Sequence, residues 1–108
     1  MKQILIVDDN ISILKQIAAY LAGCYDIFLA KSGDLALQIC AKEKPSLILL
    51  DIEMPGMDGF ELMYRLKRNP LLDQIPVIFL TASPDQETAL KCLETGARDC
   101  IAKPPEKA

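Results

Sequence analysis

Short runs of consecutive apolar residues recur along the chain, and each gives way abruptly to a polar or charged residue. Ile4-Leu5-Ile6-Val7 stops at Asp8-Asp9, Leu47-Ile48-Leu49-Leu50 at Asp51, and Val77-Ile78-Phe79-Leu80 at Thr81. A weaker run, Cys100-Ile101-Ala102, stops at Lys103. Runs of this length bounded by turn signals read as buried strands. They predict strands at residues 3–8, 47–50, 76–80 and 99–102, and Tyr25–Ala30 reads as a further strand, second in chain order.

Between them the apolar spacing changes from consecutive to helical. Ile11, Leu14, Ile17, Ala18 and Leu21 predict a helix over about 10–22, with Asn10 as its cap. Ser32 is positioned to cap a second helix carrying Leu35, Ala36, Ile39 and Cys40, which Lys44-Pro45 stops because proline disfavours helical geometry in the residue before it. A third helix follows Gly59, with Phe60, Leu62, Met63 and Leu66, and ends before Asn69-Pro70. A fourth is predicted to start at Ser83 as N-cap, with Pro84 at its first position and Gln86 completing a capping box, and to end at Thr95-Gly96. Five strands alternating with four helices, the central strands apolar on both faces, indicate an α/β domain with a parallel sheet between helix layers.

The 108 residues, 51% hydrophobic, fit one domain with a real core. A net charge of −3 supplies no basic stripe for nucleic acid, so direct nucleic-acid binding is not expected. No apolar run approaches the ~20 residues needed to cross a bilayer. The N-terminus lacks the extended apolar stretch of a signal peptide, and a cytoplasmic location is expected, with no membrane contact. There is no histidine, and Cys24, Cys40, Cys92 and Cys100 are widely spaced, which disfavours zinc and any Ser-His or Cys-His dyad. All four thiols are expected to be buried and reduced, acting as small apolar side chains.

The chemistry lies at the strand exits, the edge at which open α/β sheets bind ligands. If Asp8, Asp9 and Asp51 converge, carboxylates about 4 Å apart repel by roughly 4 kcal/mol at a surface-like dielectric, so a cation must offset them. An all-oxygen set favours a hard cation, Mg²⁺ over an enclosed Ca²⁺ cage, and Mg²⁺ commonly accompanies phosphate. Thr81 adds a hydroxyl and Lys103 a positive charge, which suit phosphoryl oxygens. Asp51, a single acid leaving a central strand, is the candidate nucleophile for an acyl phosphate. Asp8 and Asp9 read as metal holders. Glu53 lies too far round the loop for its side chain to be a first choice, but its backbone carbonyl is a candidate ligand. Taken singly, each of these residues has an ordinary role as turn, cap or surface charge; their common placement at one sheet edge marks a site.

Val7-Asp8-Asp9, Leu49-Leu50-Asp51-Ile52-Glu53-Met54-Pro55-Gly56-Met57-Asp58-Gly59, Leu80-Thr81-Ala82 and Gly96-Ala97-Arg98-Asp99 through Lys103-Pro104 together resemble the receiver domain of two-component response regulators. The resemblance spans nearly the whole chain. It implies a flavodoxin-like, doubly wound sheet of order 2-1-3-4-5 and a single receiver domain over residues 1–108, expected to be the N-terminal part of a longer protein. It implies that Asp51 accepts a phosphoryl group from a sensor histidine kinase or histidine phosphotransfer protein. Asp9, Asp51, the Glu53 carbonyl and Asp8 through water would hold Mg²⁺ (or Mn²⁺), Thr81 and Lys103 would bind the phosphoryl oxygens, and Lys103-Pro104 would be cis.

Such a domain is a switch that assists its own phosphorylation and dephosphorylation; it is not a metabolic enzyme. Two departures stand out. Cys100 occupies the position of the family's usual aromatic, and the family's fifth helix is missing from these residues. Cys100 is expected to pack beneath the fourth helix, and the uncovered face to favour a homodimer. Two alternatives remain. One is a receiver-like interaction module that is never phosphorylated. The other is a phosphohydrolase of the haloacid dehalogenase type, a class that places its nucleophile after the first strand.

Overall fold

The structure, a computed structural model, describes residues 2–82 and 85–103. In chain order the elements are β1 (Gln3–Val7), α1 (Ile11–Leu21), β2 (Asp26–Ala30), α2 (Gly33–Glu43), β3 (Leu47–Asp51), α3 (Gly59–Lys67), β4 (Val77–Thr81), α4 (Gln86–Glu94) and β5 (Asp99–Ala102). The strands form one parallel sheet of order β2-β1-β3-β4-β5. This is the doubly wound, flavodoxin-like arrangement that the resemblance implied. No helix among the described residues is long and apolar enough to cross a membrane.

Alternation along the strands builds two cores. Ile4 and Ile6 of β1 and Leu80 of β4 pack against Ile13, Leu14 and Ile17 of α1. The intervening residues face the other way: Leu5 and Val7, Ile48 and Leu50, Val77 and Phe79 join Ala36 and Cys40 of α2, Leu62, Met63 and Leu66 of α3, and Cys92 of α4. Strands apolar at every position are what a two-sided core requires, and each fully buried Leu, Ile or Phe contributes about 1.5–3 kcal/mol.

Local signals set most element ends as expected. The side chains of Asn10 and Ser32 accept from the backbone N–H groups of Ile13 and Leu35. Lys44 ends α2 in a left-handed conformation, φ 48°, directly before Pro45. The start of α4 differs from the sequence expectation. Its N-cap is Asp85, whose carboxylate accepts from Thr88 N–H at 2.7 Å, and the helix begins at Gln86; Ser83 and Pro84 lie outside the described residues. Serine and aspartate cap equally well, so two such residues two positions apart leave the start ambiguous locally. The Lys103-Pro104 peptide also lies outside the described residues.

The cysteines depart from expectation too. Cys40 and Cys92 are buried, but Cys24 is exposed in the turn before β2 and Cys100 is only half-buried.

Candidate functional site

The pairing register brings the chemistry-bearing residues to one edge. Val7 pairs with Leu50, so the next residues, Asp8 and Asp51, fall side by side. Asp51 pairs with Leu80, and Thr81 with Ala102, which places Lys103 one step beyond the end of β5. The Lys103 N–H donates to the Thr81 carbonyl at 2.8 Å, extending the β4–β5 ladder to the lysine.

Asp8, Asp51 and Thr81 are all buried, at 0%, 2% and 3% relative exposure. Asp9, by contrast, is exposed. Carboxylate oxygens of Asp8, Asp9 and Asp51 lie within 4.8 Å of one another. The Lys103 ammonium sits between two of these acids, 3.0 Å from Asp8 Oδ2 and 3.0 Å from Asp51 Oδ1. Asp8 is oriented further by the Asn10 N–H, which donates to its Oδ1 at 2.9 Å. Among the described residues, Asp51 Oδ2 is buried with no hydrogen-bond partner, and Asp8 Oδ2 has only its ion pair with Lys103. A buried carboxylate oxygen without a partner is costly, so a cation or a hydrogen-bond donor placed there would be stabilising.

Electrostatics follow from this packing. Burial raises the Asp51 pKa to about 6, and the Asp8 charge adds to the rise; the Lys103 hydrogen bond and a backbone hydrogen bond from Glu53 oppose it. The Lys103 pKa is raised: burial alone would lower it, and the hydrogen bonds and charges of Asp51 and Asp8 overcome that. Glu53 itself is exposed, and its side chain lies outside the acid cluster.

The β3–α3 connection holds Asp51 in place. Asp58 caps α3 by accepting from Glu61 N–H at 2.8 Å, and the Gly59 N–H donates to the Ile52 carbonyl at 2.7 Å. A Cβ on Gly59 would be driven into the Asp51 carbonyl oxygen and the Ile52 Cα, so only glycine admits this approach of helix to strand end. Beside the acids opens a cleft of ≈ 390 Å³ bounded by Glu53, Phe60, Thr81, Asp85, Thr88 and Lys91. The Lys91 ammonium lies 4.4 Å from the Phe60 ring centre, and Phe60 in turn packs on Phe79 at 5.2 Å. Sequence reasoning did not identify Phe60, Asp85 or Lys91 as neighbours of the site. Each reads locally as an ordinary helix residue, and only the packing of α4 beside α3 brings them to the cleft.

The fold is thus a five-stranded parallel sheet of order 2-1-3-4-5 with a lysine-bridged acid cluster at its strand exits. The sequence matches the family model described as Response regulator receiver domain over residues 4–108. Among curated relatives, the phosphate regulon transcriptional regulatory protein PhoB of Pseudomonas aeruginosa is 45% identical over 105 residues, covering 95% of this chain and 45% of PhoB. Response regulator PleD of Caulobacter vibrioides is 40% identical over 105 residues, covering 94% of this chain and 23% of PleD. The chain therefore spans less than half the length of either relative.

Among solved structures, Vibrio cholerae chemotaxis protein CheY4 superposes with a TM-score of 0.90 at 29% identity, covering 97% of this chain and 88% of that one. The Mn²⁺-bound form of response regulator Rcp1 superposes with a TM-score of 0.81 at 27% identity, covering 95% and 81%. The chain belongs to the response regulator receiver family, the phosphorylation-dependent signalling domains of two-component systems.

Proposed function

We propose that this domain accepts a phosphoryl group on Asp51 from a phosphohistidine of a sensor histidine kinase or histidine phosphotransfer protein, in a Mg²⁺-dependent reaction. The observation that carries this reading is the Asp51 carboxylate. Its Oδ1 is held by Lys103 at 3.0 Å, while its Oδ2 is buried and, among the described residues, unpartnered. One oxygen is oriented and the other remains available as a nucleophile. Attack by Oδ2 on phosphorus forms the acyl phosphate O–P bond and breaks the donor's P–N bond, and the departing imidazole takes up a proton. Thr81, at the end of β4, and Lys103, beyond β5, flank Asp51 and are assigned to the transferred phosphoryl oxygens.

The donor set also fits a hard divalent cation. Asp8, Asp9 and Asp51 contribute oxygens only, and two of the three are buried. Asp9 and Asp51, with Asp8 and the Glu53 backbone carbonyl, would hold Mg²⁺; Mn²⁺ is an expected substitute, in keeping with the Mn²⁺-bound state of the Rcp1 neighbour. When bound, the cation would neutralise charge on the acids and on the incoming phosphoryl group. The curated relatives extend well beyond their matched region. We therefore assign this domain to the input of a longer regulator, whose output would be set by the other part.

Incubation with acetyl phosphate or a phosphorylated kinase and Mg²⁺ is expected to add one base-labile phosphoryl group, mapped by mass spectrometry to Asp51. Asp51→Asn, which keeps the shape and removes the anionic nucleophile, is expected to abolish labelling. Undiminished labelling of that variant, or label mapped to a serine or threonine, would refute the assignment. Absence of any labelling of the wild type by a panel of donors would favour the non-phosphorylated interaction module.

A further inference from the structure

Two thiols lie against each other between α4 and β5. The Cys92 thiol donates to the Cys100 sulfur at 3.1 Å, a separation only roughly 1 Å longer than a disulfide bond. Both cysteines are free. Cys92 is fully buried and is the one buried side chain among the described residues of α4; Leu90 and Leu93 of the same helix are exposed. Cys100 sits on β5, half-buried at the edge of the larger core. A tight turn through Gly96, φ 97°, joins the two elements, so the approach is built into the α4–β5 connection.

We propose that Cys92 and Cys100 form an oxidation-sensitive dithiol site, which a hydroperoxide converts into an intrachain disulfide tying α4 to β5. The site is separate from the acid cluster and does not depend on phosphorylation of Asp51. Cys100, the more accessible sulfur, reacts first: its sulfur attacks the peroxide O–O bond, an S–O bond forms, and the departing oxygen leaves as water with the thiol proton. The Cys92 sulfur then attacks Cys100, the S–S bond forms, the S–O bond breaks, and the second oxygen leaves as water with the Cys92 proton. Two thiols and one hydrogen peroxide give one disulfide and two waters. Burial, reinforced by the neighbouring thiol, pushes the Cys92 pKa up to about 12, which keeps that sulfur protonated in the resting pair. A thiol reductant such as glutathione reverses the bond by exchange.

The layout of cleavage sites makes the test direct. Trypsin cuts after Lys91 and after Arg98, so Cys92 and Cys100 fall in separate peptides. The full chain carrying Cys24→Ser, which removes the exposed thiol, is treated with stoichiometric hydrogen peroxide and then alkylated with N-ethylmaleimide in denaturant. Two of its thiols are expected to escape alkylation, and the peptides holding Cys92 and Cys100 to be recovered joined and to separate on reduction. In Cys100→Ser, confirmed folded by circular dichroism, Cys92 is expected to stay reduced at the same dose. Recovery of both cysteines as maleimide adducts at doses that oxidise Cys24 in the wild type would overturn the proposal. So would over-oxidation of Cys100 without a cross-link, or oxidation of Cys92 as readily in Cys100→Ser.

Discussion

Lys103 Nζ stands 3.0 Å from Asp51 Oδ1, on the same side of the sheet edge as its second partner, Asp8. Two buried carboxylates side by side are tolerable in the metal-free protein because this one ammonium lies between them. Lys103→Ala therefore removes more than a phosphoryl contact. In the absence of metal it is expected to destabilise the fold at neutral pH by about 3 kcal/mol, the usual cost of leaving a buried charge uncompensated. The loss should shrink near pH 4, below the raised Asp51 pKa of about 6, where that carboxyl is neutral and needs no counterion. Urea unfolding at the two pH values checks this; a variant equally stable at both would show that the lysine is not the counterion.

The raised pKa of Asp51 gives a second, oppositely directed expectation. Its folded value of about 6 lies above the ordinary 3.8, so between these values the folded state holds more protons than the unfolded one. Stability from this group is complete below the ordinary value, declines as pH rises through about 6, and is flat above. Asp51→Asn mimics the protonated state at every pH. It is expected to match wild type near pH 4 and to exceed it at pH 7.5 by on the order of 2 kcal/mol in metal-free buffer. Denaturation midpoints across the range test the sign, and a variant less stable than wild type at pH 7.5 would overturn it.

Divalent cation should remove part of that penalty. Because Asp8, Asp9 and Asp51 present oxygens within 4.8 Å of one another, millimolar Mg²⁺ is expected to raise the melting temperature of the wild type by mass action. Asp9 is the exposed member of the set, so Asp9→Ala should fold normally and lose most of the shift. Equal shifts in both proteins, or none in either, would count against the assigned ligand set.

Gly59 tests the scaffold behind the acids. Alanine in a helix is ordinarily favoured over glycine by about 1 kcal/mol. Here the added methyl would meet the backbone of Asp51 and Ile52, which cannot rotate away. Overpacking of this kind costs about 1–3 kcal/mol, so Gly59→Ala is expected to lower stability and, by displacing Asp51, to slow phosphorylation. Gly56, with open space around its Cβ position but φ 75°, is the contrasting site: Gly56→Asn should retain phosphorylation because asparagine tolerates that conformation.

The chain's own pattern determined the alternation of strands and helices, the caps at Asn10 and Ser32, the stop at Lys44-Pro45 and the acids, hydroxyl and amine at the strand exits. These are local matters: strand and helix periods, capping chemistry and the restriction before proline act within a few residues, so they are legible in sequence. The motif resemblance supplied the strand order, which periodicity alone does not contain. Only the tertiary structure decided where side chains from distant segments meet. It set Lys103 between Asp8 and Asp51, left Asp51 Oδ2 unpartnered, and brought Phe60 and Lys91 to the cleft beside them. It also put the N-cap of α4 at Asp85, and set Cys100 against Cys92 while leaving Cys24 exposed. Such pairings depend on the register of parallel strands joined by crossovers and on how each helix settles on the sheet, and no local window of sequence records that.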